Sequence, residues 1–208
     1  NVMILGDEHG DSDCLVTSVT LIIADGWYRT RVGFEELIER EWLAMGFPFA
    51  NRCRHAKDKV GQWAEPSGTV LLFLDAVSQL IRQNPLSFEY SELFLEEVWG
   101  DILSCFFPEF VLNNDCERME KHTLLCNVSV DPGDEPELMW NHIRTQISPL
   151  EDPTLNPLYR PTTGFLSGAS SSTSALRPWL ACYYPQVPWL AQNGVTEART
   201  YICEAKQK

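Results

Sequence analysis

The chain has 208 residues with a formal net charge of −13, 44% of them hydrophobic and 22% charged, including 7 Trp and 10 Phe. This composition excludes a disordered chain and suits one domain, or a large part of one, with a real core. The excess of acid argues against nucleic-acid binding and against docking on anionic lipid through basic patches, and no apolar run approaches the roughly 18 to 20 residues of a membrane span.

The chain opens on Asn1 and the strand-like run Val2, Met3, Ile4, Leu5 with no initiating Met and no signal-like segment, so it is read as a fragment whose upstream part is missing. The polar, turn-prone stretch from Gly6 to Asp13 follows, then the apolar segment Cys14 to Ala24, expected as a buried helix. Phe34, Leu37, Ile38, Trp42 and Met45 recur at helical spacing. They predict an amphipathic helix from Gly33 to Met45, stopped by Gly46, with Glu35, Glu36 and the run Glu39-Arg40-Glu41 solvated and Trp42 packed inward.

Residues 53–68, with Arg52, Arg54, Lys57 and Lys59 supplying most of the local basic charge, read as a surface loop. Val70 to Gln83 is apolar except for the stripe Asp75, Ser78, Gln79, Arg82, the pattern of a helix buried on most sides. Ser91 to Cys105 predicts another helix, weakened at Gly100 by about 1 kcal/mol. From Asp131 onward Pro132, Gly133, Pro136, Pro149, Pro153, Pro157 and Pro161, with the hydroxyl-rich run Ser170 to Ser174, predict loops and short helices at best.

A strand that turns through a tight loop into a helix start is an anion cradle, because free N–H groups and the helix dipole converge there. Cysteine-based phosphatases place a thiolate at the beginning of such a loop and an Arg six residues later, one to attack phosphorus and one to hold the phosphoryl oxygens. The run from Val2 through Val16-Thr17-Ser18-Val19 resembles the myotubularin signature, a Val-rich strand followed by Cys-Ser-Asp-Gly-Trp-Asp-Arg-Thr and a helix. Tyr28-Arg29-Thr30, Gly33-Phe34-Glu35, Leu37 to Leu43, Gly46-Phe47-Pro48-Phe49, Phe73-Leu74-Asp75, Phe88-Glu89-Tyr90, Asn156-Pro157-Leu158-Tyr159, Trp179 and Tyr183-Tyr184 extend the resemblance.

The resemblance implies an α/β, helix-rich fold, the C-terminal part of a cysteine-phosphatase-like domain over residues 1–190 with a tail at 191–208. Laid without gaps, the nucleophile falls on Gly6 and the phosphate-binding Arg on Ser12, while Asp11 takes the place of the family's acid. The loop Gly6, Asp7, Glu8, His9, Gly10, Asp11, Ser12 is therefore degenerate, and no catalytic residue, cofactor or metal is expected. The chain resembles the inactive members in particular. This implies a cytoplasmic pseudophosphatase that binds and regulates an active relative in a hetero-oligomer, with peripheral endosomal or other endomembrane association through parts absent here. The alternative is an active phosphoinositide or protein phosphatase.

Phosphoinositide binding at the loop is not expected, since Asp7, Glu8, Asp11 and Asp13 surround it with His9 as the one cation. A carboxylate about 5 Å from a phosphate costs on the order of several kcal/mol at an effective dielectric near 20. Asp11 with His9 reads as a solvated pair, and Cys116, His122 and Cys126 lack the paired spacing of a metal site. Cys105 and Cys126 read as small packed residues, Arg29 as half of a buried ion pair, and the seven scattered cysteines as thiols of a reducing compartment.

Overall fold

The computed structural model describes residues 10–55, 66–120, 138–146 and 152–183. Helix α1, Asp11–Ala24, starts three residues earlier than the apolar pattern alone predicted, because Asp11 and Asp13 in its first turn complement the dipole and Gly10 supplies a left-handed N-cap (φ 69°). Its β-branched residues are poor helix formers, and the stripe Cys14, Ser18, Ile22 holds it against the core. Asp25 accepts the Trp27 N–H and opens a 3₁₀ turn, Gly26–Arg29. Thr30 then caps α2, Arg31–Ile38, by accepting from Gly33 at 3.0 Å.

The helix expected over 33–45 is not continuous. After Ile38 the chain makes one wide π turn, Glu39–Leu43, closed by the Ala44 N–H on the Glu39 carbonyl at 2.8 Å, and Gly46 ends it at φ 79°. Trp42 is turned inward, as its spacing implied, and its indole donates to Ser18 at 2.9 Å. Short α3, Phe49–Arg52, follows; residues 56–65, most of the expected basic loop, lie outside the described residues.

The helices α4, Thr69–Gln83, and α5, Glu92–Ser104, match the expected spans to within one residue. Short α6, Pro108–Val111, and helical residues 115–120 come next, then α7, Met139–Gln146, and α8, Leu180–Tyr183. Helix α4 packs between α1 and α5. The core is aromatic: Phe34 stacks on Phe73 and meets Tyr90 and Phe94, while Trp42 touches Phe47, Phe49 and Phe73, and Phe49 meets Phe110.

The segment 152–183 is a largely irregular strap laid over these helices. An isolated antiparallel bridge joins Tyr90 to Leu155, and Arg160 donates its N–H to the Leu86 carbonyl. The strap crosses Gly26 so closely that a Cβ there would lie 1.9 Å from the Thr162 carbonyl oxygen, which is why glycine sits at that position. No strand occurs among the described residues, which are helix-rich; the predicted strand Val2–Leu5 lies outside them.

Two expectations about buried groups are corrected. Arg29 is buried at 1% exposure, yet its guanidinium donates to carbonyls of Ile22, Ile23, Thr162 and Gly164 and to the Thr162 hydroxyl, not to a carboxylate. Burial lowers its pKa, with Tyr159, Asp25 and Tyr90 acting the other way. Cys105 is exposed rather than packed: it stands just past α5 in the left-handed conformation, φ 59°, where the chain leaves the helix.

Candidate functional site

Of the loop expected to be degenerate, Gly10, Asp11 and Ser12 lie among the described residues, and Gly6, Asp7, Glu8 and His9 lie outside them. Ser12 is exposed at the start of α1. Asp11, expected to be solvated, is 8% exposed and pairs with Arg52 at 2.9 Å. The physical reason is local: α3 ends at Arg52 and delivers a cation to the start of α1, so the carboxylate can leave water with its charge answered. Arg52 is likewise mostly covered rather than part of a free basic loop, and His9 is not the one cation near the loop.

A small cleft of about 90 Å³ lies beside this pair, lined by Gly10, Asp13, Cys14, Thr17, Glu41 and Phe47 among others. The π turn brings Glu41 to it, half-buried and paired with Arg40 at 2.7 Å, which corrects the reading of Glu41 as a plain solvated residue. Arg40 also donates to the Tyr28 hydroxyl. Cys14 is the cysteine nearest the loop in sequence. Burial, then the charges of Asp11, Asp13 and Glu41, push its thiol up to about 11, so it is a neutral packed group near pH 7 and a poor nucleophile.

A second cavity of about 280 Å³ lies between α2 and α7, with Val32, Phe94, Trp140, Ile143 and Leu155 along it. Its rim is held by charge pairs: Arg31 with Asp152 at 2.6 Å, and Arg144 with Glu35. Sequence reading did not place it, because α7 falls in the stretch expected to hold loops and short helices at best; the spacing of Met139, Trp140 and Ile143, all buried, was the available signal. Of the candidate metal residues, Cys116 is exposed, while His122 and Cys126 lie outside the described residues.

A family model described as the myotubularin-like phosphatase domain matches residues 1–119. The chain is 33% identical over 183 residues to the phosphatidylinositol-3,5-bisphosphate 3-phosphatase MTMR2 of Pongo abelii, covering 88% of this chain and 26% of that protein. It is 36% identical over 179 residues to myotubularin-related protein 9-like of Bos taurus, covering 86% and 31%, and 34% identical over 140 residues to myotubularin-related protein 10 of Homo sapiens, covering 66% and 18%. The chain thus spans about a quarter to a third of the length of the first two relatives.

Proposed function

The chain belongs to the myotubularin-related family, and from that premise we propose that it is part of a catalytically inactive member, a pseudophosphatase that binds and regulates an active phosphoinositide 3-phosphatase relative. One observation carries the reading: Gly6 and Ser12 stand where the resemblance places the nucleophilic Cys and the phosphate-binding Arg. Cysteine phosphatase chemistry needs both groups, since the thiolate forms the covalent intermediate and the guanidinium holds the transferring oxygens. The neighbourhood supports the reading further. The nearby thiol of Cys14 is held neutral, and Asp13 and Glu41 line the cleft where an incoming phosphate would need positive charge.

The rest of the fold reading follows the family: an α/β domain whose sheet strands lie outside the described residues, in a cytoplasmic protein associated peripherally with endomembranes through other parts. The test uses the full-length protein, phosphatidylinositol 3-phosphate and phosphatidylinositol 3,5-bisphosphate vesicles, and an active relative. The protein alone should release no phosphate above background, and should alter the turnover, level or location of the active relative. Phosphate release above background by the purified protein alone would implicate another nucleophile and end the pseudophosphatase reading. An active relative unaffected in all three respects would end the regulatory one.

A further inference from the structure

We propose that the exposed turn Ser172–Ala175 is a phosphorylation site, with Thr173 and Ser174 as phosphoryl acceptors and Arg177 as the group that holds the product. The turn is presented by two side-chain clips on α4. Gln83 accepts the Ser170 N–H at 2.7 Å and donates to the Ser170 carbonyl at 3.1 Å. Gln79 does the same for Arg177, at 3.0 and 2.6 Å, and Arg82 donates to the carbonyls of Arg177 and Pro178. Both clips read backbone atoms, so they fix the strap whatever side chains stand between them.

Between the clips residues 171–174 are all exposed. The Ala175 N–H closes the turn on the Ser172 carbonyl at 2.8 Å. The closure puts Thr173 and Ser174 at the apex; Ser170 is occupied by the Ser172 N–H, and the Ser174 hydroxyl shares a contact with that of Ser172 at 2.8 Å. From Ser167 to Leu176 there is no charged residue in a chain of net charge −13, and the first charge after the turn is Arg177. Its guanidinium is exposed and takes no partner among the described residues, because only its backbone is engaged. Two acids of this face have partners: Glu92 is held by Arg82 through both oxygens, and Asp75 accepts from Gln79 and Tyr183.

In the modification the hydroxyl oxygen attacks the γ-phosphorus of ATP, the bond to the bridging oxygen breaks and ADP leaves, while the hydroxyl proton passes to the base of the kinase. The product carries about −1.5 to −2 charge at neutral pH and three acceptor oxygens, matched to the fork of Arg177 three residues on from Ser174. Since Gln79 already fixes the Arg177 backbone, that pair ties the turn to α4.

The full-length protein is treated with magnesium ATP and a serine/threonine kinase that accepts a basic residue on the C-terminal side, and the chymotryptic peptide 167–176 is analysed by mass. One phosphate on that peptide, lost in T173A/S174A, is expected. Hydrogen exchange over 170–178 should slow about fivefold on phosphorylation, and R177Q brought to the same stoichiometry should lose that protection. An unmodified peptide, exchange that is unchanged or faster, or equal protection in R177Q overturns the proposal.

Discussion

Burying a carboxylate at a helix start is unfavourable unless a cation accompanies it, and the Asp11–Arg52 pair meets that condition at 2.9 Å. Asp11→Asn should destabilise the complete domain by about 2 to 3 kcal/mol, measured by denaturant unfolding, less than a fully buried pair because 12% and 11% of the two side chains remain exposed. Under the proposed function, installing the Cys and Arg of the family's chemistry is a separate matter. Gly6→Cys with Ser12→Arg returns the thiolate and the guanidinium but leaves Asp13 in the first turn and Glu41 beside it. That double variant should release phosphate at least about a hundredfold more slowly than an active relative, about 2.7 kcal/mol in transition-state free energy. Robust turnover of phosphatidylinositol 3-phosphate would show the acidic surroundings to matter less than argued. Arg29→Lys should cost about 2 to 4 kcal/mol, because one ammonium cannot replace a planar fork that serves four carbonyls. The identities at positions 6 and 12 were legible from the sequence. The burial of Asp11 was not, because its cation comes from a separate element 41 positions along the chain, and neither was the carbonyl cage of Arg29, completed 133 and 135 residues away.

At the scale of elements, long helices with strong apolar periodicity were readable, and those whose ends depend on a partner were not. Thr69–Gln83 and Glu92–Ser104 carry their own signals: an apolar face, and a turn or cap at each end. The interruption at Glu39 left no mark in the periodicity, because Trp42 falls on the inner side of either helix type. Met139–Gln146 was hidden by prolines on both sides, although Glu109 accepts the Met139 N–H at 2.6 Å and so fixes its start. Gly100 is a direct test of helix propensity in α5, since it is exposed and a Cβ there meets nothing within 4 Å. Gly100→Ala should stabilise the complete domain by roughly 0.5 to 1 kcal/mol, read as a raised unfolding midpoint with unchanged slope. A loss of stability would mean that the glycine serves the backbone in some other way.

For the whole molecule, charge sets the response to pH. Partial desolvation raises the carboxyl pKa of the partly covered Glu96, Asp101 and Glu109 and of the more exposed Glu39 and Glu97, so the folded state holds protons that the unfolded chain has released. Each raised group therefore weakens the fold at neutral pH and weakens it less as pH falls through its folded pKa toward the ordinary carboxyl range. Asp152 works in the opposite sense: burial opposes ionisation, but the Thr154 hydroxyl and N–H and the Arg31 guanidinium outweigh it and leave its pKa low. Its contribution is present above the unfolded pKa and is lost in strong acid. The melting temperature of the complete domain should thus rise as pH falls from neutrality toward the ordinary carboxyl range, and fall again in strong acid below about pH 4. A monotonic fall from neutrality would contradict the assignment of the five raised carboxyls. Net charge was legible from composition, whereas which carboxyls lose hydration depends on packing between distant segments.

The strap also imposes an order of events on synthesis. Arg29 leaves the ribosome 135 residues before Gly164, the last of its carbonyl partners. At about 5 to 20 residues per second, its cage stays incomplete for roughly 7 to 27 seconds, a window in which a guanidinium destined for the interior is exposed to solvent and to chaperones. Ribosome-bound chains stalled before Gly164 should keep Arg29 reactive toward a dicarbonyl reagent, and chains stalled after the strap has emerged from the exit tunnel should protect it.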